Sequence, residues 1–258
     1  MELRKMTIKE IERILFSQNV SLEFLKTLEK DERKAAQNLL KKYRREQSER
    51  KRVDALYEYE KIAESEGFHA VAGVDEAGRG PLAGPVAVAA VILPLGLYVP
   101  KLNDSKKLSE SARESLYGLI KEQAVATSVV FVDAKTIDEV NIYEATKRGM
   151  YEALQKLEVK PDKALIDAMP LENLQIPSLS IVKGDAKSAS IAAASILAKV
   201  TRDRFMTEMD KLYPEYGFKH HKGYGTKEHI EAIRKYGQSP IHRFTFEPIA
   251  SMVMNKPT

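Results

Sequence analysis

Apolar residues recur at helical intervals through the first quarter of this chain and then gather into continuous runs of strand length. Ile8, Ile11, Ile14 and Leu15 line one helical face behind Thr7-Ile-Lys-Glu, whose spacing is that of a capping box. A second amphipathic stretch opens near Ser21, with Leu22, Phe24, Leu25 and Leu28 on its apolar face. Residues 1–68 therefore read as helical throughout. From Ala70 the period changes. Residues 86–93 form an unbroken apolar run, and 128–132 and 163–167 read as further strands. Between and after them, 141–157 and 187–209 have helical character. Strands first, then alternating helix and strand, predict an α/β fold with a mixed sheet flanked by helices. The expected division is a helical N-terminal extension over 1–68 and a main domain over 69–258 with a helical C-terminal region.

Composition narrows the function classes. A chain of 258 residues with 43% hydrophobic content can bury a sizeable core. It has no cysteine, which excludes a disulfide framework and any thiolate metal site and suits a reducing cytoplasm. The start carries charges where a signal peptide needs an apolar stretch. The longest apolar run, 82–95, is broken by Gly84, Pro85 and Pro94 and is too short to span a bilayer, so no membrane role is expected. The net charge of +4 is mild, but it is unevenly spread. Arg33, Lys34, Lys41, Lys42, Arg44, Arg45, Arg50, Lys51 and Arg52 face only Glu46 and Glu49 over residues 33–52. Such a run is either the solvated face of a helix or a surface for phosphate.

The densest chemistry lies in residues 73–85, Gly-Val-Asp-Glu-Ala-Gly-Arg-Gly-Pro-Leu-Ala-Gly-Pro. An apolar lead-in delivers the adjacent carboxylates Asp75 and Glu76 to a glycine-rich turn. Neighbouring acids repel, and a bound cation is the usual compensation. The glycines let the backbone approach a ligand, and Arg79 adds a permanent forked positive charge. Metal and phosphate are the ligands this suggests. Hard divalent cations take oxygen donors, so carboxylates must converge from distant points. Asp167 ends an apolar strand as Asp75 does. Asp185 stands just ahead of a helix rich in small residues, where an Asp also serves as an N-cap.

Three further segments accompany this one: Leu165-Ile-Asp167, then Lys183-Gly-Asp-Ala-Lys-Ser188 leading into residues 191–203, then His221-Lys-Gly-Tyr-Gly-Thr226. The four together, in this order, resemble the type 2 ribonucleases H, ribonuclease HII in particular, over roughly residues 70–250. The resemblance implies a ribonuclease H-like fold and a metal-dependent endoribonuclease. Its substrates would be the RNA strand of RNA/DNA hybrids and ribonucleotides embedded in duplex DNA, as in ribonucleotide excision repair. Cleavage would fall 5′ of the ribonucleotide and leave a 3′-hydroxyl and a 5′-phosphate. Asp75, Glu76, Asp167 and Asp185 would hold Mg²⁺ or Mn²⁺ for a two-metal reaction. The backbone of Gly78, Arg79 and Gly80, with Tyr224, would sense the ribose 2′-hydroxyl that distinguishes RNA from DNA.

Asn103, Ser105, Lys106 and Lys107 resemble a family loop on the substrate backbone, and Lys183, Lys187 and Ser188 flank the expected metal site; phosphate positioning is their implied role. His220 and His221 read as basic-loop residues. Asp104, Asp133, Asp162 and Asp203 have no comparable claim, Asp203 being expected to pair with Arg202 or Arg204. A cytoplasmic monomer is expected. The alternatives are a ribonuclease HIII-like enzyme, which would carry a sheet-containing N-terminal domain, a branch-cutting DNA nuclease, which needs no 2′-hydroxyl sensor, and a hybrid-binding protein without catalysis.

Overall fold

The computed structural model describes residues 3–17 and 20–254, and the chain divides into two compact units, Met1–Ala55 and Leu56–Thr258. In the first unit Thr7 caps α1 (Ile8–Leu15) through the expected box: its hydroxyl accepts the Glu10 amide, and its own amide donates to Glu10 Oε2 at 2.7 Å. Ser21 caps α2 (Leu22–Glu29) with its hydroxyl alone, which accepts the Phe24 amide, and α3 (Lys34–Ala55) follows. Ile11, Leu15, Leu28, Ala36 and Leu40 close a small apolar core among the three helices. All three elements are helical, as the periodicity of residues 1–68 predicts. The division, however, falls between Ala55 and Leu56 rather than at 68.

That shift places α4 (Glu58–Ser65) in the second unit, and its hydrogen bonds give the reason. Glu60 is 5% exposed and accepts from the Ser188 hydroxyl at 2.6 Å and the Ser190 amide at 3.0 Å. Those serines open α8 (Ala189–Leu212), so α4 satisfies the N-terminus of the unit's longest helix.

Between these two helices the chain lays down β1 (Val71–Ala77), β2 (Val86–Ile92), α5 (Glu110–Gln123), β3 (Ala126–Val132), α6 (Ala134–Val140), α7 (Ile142–Gln155), β4 (Lys163–Asp167) and β5 (Ser178–Ile181). After α8 come α9 (Phe218–His221), α10 (Lys227–Tyr236) and α11 (Ile249–Met254). The sheet order is β3-β2-β1-β4-β5, antiparallel through β3, β2 and β1 and parallel through β1, β4 and β5. The hydrophobic pattern predicts β2, β3 and β4 to within two residues. It does not predict β5, an edge strand with three of its four residues exposed and hence no apolar run.

Helix α8 packs along β1, and the sequence explains how closely. A Cβ on Gly73 would lie 2.1 Å from the Ser190 carbonyl carbon, so strand and helix meet there with no side chain between them. The run Ala189–Ala198 is buried and built from small residues broken by Ile and Leu, which brings the helix down onto the sheet. The opposite face of the sheet carries Ala72, Val74, Val88 and Val130 against Met150, Ala153 and Leu154 of α7. No helix among the described residues is long and apolar enough to cross a membrane.

Candidate active site and family

β1 and β4 run parallel with Val74 opposite Ile166, which brings Asp75 and Asp167 level at the carboxyl ends of adjacent central strands. Asp185 comes from the short turn Gly184–Ala186 just ahead of α8. Its alternative role, the helix cap, is taken by Ser188, whose hydroxyl accepts the Ile191 amide. Gly184 in turn donates its amide to Asp167 Oδ1 at 2.6 Å, tying the Asp185 turn to the end of β4.

The four acids sense one another. Burial pushes the Asp75 carboxyl well above the ordinary range, and the charges of Glu76 and Asp167 push it the same way. Glu76 is raised by burial, with Arg79 opposing at 3.5 Å and Asp167 adding. Asp185 is raised by burial, then by Asp104 and Asp167, while Lys106 opposes. At Lys106 burial works against the charged form, yet Asp185, Asp75, Asp104 and Asp167 together hold the ammonium above its usual value. Donor chemistry and charge therefore fit a hard divalent cation: oxygens only, in a negative patch that the protein leaves underneutralised. The acids do not form a ready-made cage, because among the described residues no three His, Cys, Asp or Glu side chains stand at metal-holding distance.

Two further residues join this cluster: Asp104, which the sequence reading sets aside, and Ser195, which it does not name. Asp104 caps the turn Ser105–Lys107 by accepting the Lys106 amide, and its charge helps to raise Asp185. Ser195 hydrogen bonds to Asp75 and, at 2.8 Å, to Ser105 Oγ, linking the loop, α8 and β1. Both look ordinary in sequence, an Asp before a turn and a Ser in a small-residue helix.

The remaining residues separate into surface and interior. Lys106, Lys107, Lys183 and Lys187 are on the surface, as groups that meet phosphate must be, and Asn103 is half-buried with Oδ1 accepting the Asp104 amide. Ser105 and Ser188 are buried and hydrogen bonded inside, so neither offers substrate a free hydroxyl. Asp203 pairs with Lys199 at 2.8 Å rather than with its neighbouring arginines; Arg204 reaches Glu114, and Arg202 is buried. His221 is also interior rather than a loop cation, stacked on His229 with ring centroids 4.4 Å apart.

The glycine-rich turn and the later tyrosine do meet. Tyr224 is 46% exposed, and a Cβ on Gly80 would lie 4.0 Å from its ring. Gly80 and Arg79 are exposed while Gly78 is buried with φ +96°, a conformation reserved for glycine, so this turn and Tyr224 share one surface.

Residues 72–249 match the family model for ribonuclease HII, and residues 7–64 match that for the ribonuclease HII N-terminal domain. The chain belongs to the ribonuclease HII family. Ribonuclease HII from Bacillus cytotoxicus is 53% identical over 98% of this chain and 99% of the relative. The Halalkalibacterium halodurans ribonuclease HII is 49% identical over 99% of both. Among solved structures, the ribonuclease H2 from Pyrococcus horikoshii is similar with a TM-score of 0.60 and 30% identity, covering 70% of this chain and 96% of that one. Ribonucleases HII are hydrolytic endoribonucleases, which makes this chain an enzyme. The helical first unit agrees with the ribonuclease HII N-terminal model, so the sheet-bearing alternative is set aside.

Proposed function

We propose that this ribonuclease HII cuts the RNA strand of RNA/DNA hybrids and cleaves 5′ of single ribonucleotides in duplex DNA, leaving a 3′-hydroxyl and a 5′-phosphate. The observation that carries this reading is the shared surface of Gly80, Arg79 and Tyr224 beside the acid cluster: a 2′-hydroxyl reader next to a site for phosphodiester hydrolysis. Asp75, Glu76, Asp167 and Asp185 would hold the cations, Mg²⁺ or Mn²⁺. Two such cations supply water activation and neutralise charge on the phosphate. The protein's own groups do the rest. Ser195 and the Glu76 amide, 2.7 Å from Asp75 Oδ1, fix the Asp75 carboxylate, and the Gly184 amide fixes Asp167. Lys106 places a positive charge beside the acids, suited to a phosphate oxygen.

The first unit has its own part in this reading. Arg33, Lys42, Arg44, Arg50 and Arg52 are paired with acids, which leaves Lys34, Lys41, Arg45 and Lys51 as candidates for phosphate. Lys34, Lys41 and Arg45 are spaced by seven and four residues, one stripe along α3.

The deciding experiment digests a labelled DNA duplex containing one ribonucleotide, with and without Mg²⁺, using the parent and Tyr224→Ala. Cation-dependent cutting 5′ of the ribonucleotide is expected. Tyr224→Ala should slow cutting at the single ribonucleotide more than on continuous RNA, where neighbouring positions offer alternatives. Equal losses on both substrates would remove Tyr224 from the reader, and cleavage of an all-DNA control would remove the reader altogether.

A further inference from the structure

Two arginines that the sequence gives no reason to notice lie beneath the glycine-rich turn. Arg243 and Arg202 are 0% and 1% exposed, and among the described residues neither forms an ion pair with a carboxylate. Their guanidiniums go to main-chain carbonyls instead. Arg243 donates through Nη1 to Arg79 O at 2.8 Å, through Nη2 to Gly78 O at 2.6 Å and Gly84 O at 2.7 Å, and through Nε to Gly84 O at 3.0 Å. Arg202 donates to Pro85 O at 2.9 Å and to Ala83 O and Lys222 O at 3.0 Å. The turn and the segment that follows it are therefore wound around two buried cations. Gly78 fits only as glycine, since a Cβ there would lie 2.0 Å from Arg202 Nε.

The direction of these bonds has a chemical consequence on the other side of the turn. In a trans peptide the carbonyl and the following N–H point opposite ways, and the peptides joining Gly78, Arg79 and Gly80 are trans. With the carbonyls of Gly78 and Arg79 turned inward to Arg243, the N–H groups of Arg79 and Gly80 turn outward, on the exposed face shared with Tyr224. Two convergent amide donors beside an aromatic ring suit the oxygen of a ribose hydroxyl or its adjoining phosphate. Pro81 contributes no third donor.

We propose that Arg243 is a positioning residue for ribonucleotide recognition: it fixes the two peptide planes of the Gly-Arg-Gly turn so that the amides of Arg79 and Gly80 face the substrate. Arg202 braces the same segment from behind. The proposal rests on the 2′-hydroxyl reading given above. A lysine at 243 keeps the charge but has a single nitrogen in place of the planar fork of Nε, Nη1 and Nη2, so it releases the planes without creating an uncharged hole.

The test compares the full-length parent with Arg243→Lys on two substrates, a DNA duplex with one ribonucleotide and a hybrid with continuous RNA, with far-ultraviolet circular dichroism as the check of fold. The ratio of rates, single ribonucleotide over continuous RNA, is expected to fall about tenfold or more, in line with the loss of one aimed donor pair. A folded Arg243→Lys whose two rates fall together, with the ratio kept, would show Arg243 to be structural only and overturns the proposal. A second measurement needs no variant: amide resonances of Arg79 and Gly80 in the parent, without divalent cation, titrated with ribonucleotide-containing and all-DNA duplexes. These two amides should shift with the first and not with the second, and identical responses overturn the proposal even if Arg243→Lys fails to fold. A parent that does not distinguish the duplexes in cleavage takes down the 2′-hydroxyl reading itself. A parent that does, with an unaltered ratio in the variant, takes down only the role of Arg243.

Discussion

Asp75 and Arg243 are both buried, both ionisable and on either side of the same turn, yet the protein treats them in opposite ways. Asp75 is surrounded by other acids, and the nearest compensation is a serine hydroxyl and one amide. Arg243 and Arg202 are cations whose forks are filled by carbonyl oxygens, although burial lowers them to about 9 and about 10, with Arg202 adding to the effect on Arg243. Buried charge of either sign costs several kcal/mol unless it is satisfied. The arginines are satisfied from within, so they belong to the scaffold. The acids are only partly compensated, by Arg79 at Glu76 and Lys106 nearby, a setting that suits the divalent cations proposed for them.

The most severe way to break this contrast is to neutralise the acids. Asp75→Asn or Asp167→Asn should lower the cleavage rate by about a thousandfold, since cation-assisted charge stabilisation is worth several kcal/mol. Binding of hybrid should survive, since the phosphate contacts proposed for it are surface lysines. Without divalent cation Asp75→Asn should melt at or above the parent's temperature, because a buried repulsion has been removed. A variant that keeps near-parental turnover would end the assignment of Asp75 as a cation ligand.

Less drastic is the contrast between the two units. A chain beginning at Leu56 retains α4 and the Glu60 hydrogen bonds to Ser188 and Ser190, whereas one beginning at Gly67 loses them. The longer chain should fold and cleave, but bind hybrid with a shallower salt dependence, by about 0.9 in log–log slope for each phosphate that α3 no longer neutralises. The shorter should lose about 3 kcal/mol or more, because Ser188 and Ser190 are left buried without their acceptor at the start of α8. Equal melting temperatures for the two chains would mean that Glu60 contributes nothing, and an unchanged slope would return α3 to the role of a solvated face.

What the sequence reveals follows from the same division. The strand runs 86–93 and 163–167, the capping box at Thr7 and the helix holding 187–209 are legible because burial of one face leaves a periodic trace. Asp75, Glu76 and Asp167 stand out as acids on apolar strands, and Asp185 through the motif around it, since an Asp ahead of a helix is by itself an ordinary cap. Arg202, Arg243, Glu60 and the interior histidines are invisible for the opposite reason. Each is a polar residue in a polar-looking stretch, and its partners are 117, 165, 128 and 13 positions away in the chain. Charged side chains are read as surface by default, and only the folded chain shows which of them are enclosed.

The smallest expected effect concerns those histidines, which sit under Tyr224. His229 Nδ1 donates to the Tyr224 carbonyl at 2.9 Å, which leaves its Nε2 as acceptor for His242 Nε2–H at 3.0 Å. His242 Nδ1 then accepts the Ser239 amide at 2.9 Å, so every ring nitrogen in the pair is matched only if both rings are neutral. Burial lowers both to about 4, His242 also feeling His229 and His229 also feeling His221. The sign follows: below the ordinary histidine value near 6.5 the unfolded chain takes up protons that the folded one refuses, so this contribution is complete above about 6.5 and is lost progressively as pH falls toward about 4. Asp75, Glu76 and Asp185 are raised and act with the opposite sign, which makes a comparison with His229→Gln/His242→Gln necessary. The parent's advantage in melting temperature over that double variant should narrow between roughly pH 7 and pH 4.5, by about 2–4 °C for each kcal/mol of stability removed. A constant gap across that range would show that the pair does not titrate as a neutral unit, and the tautomer chain from Ser239 to Tyr224 would have to be abandoned.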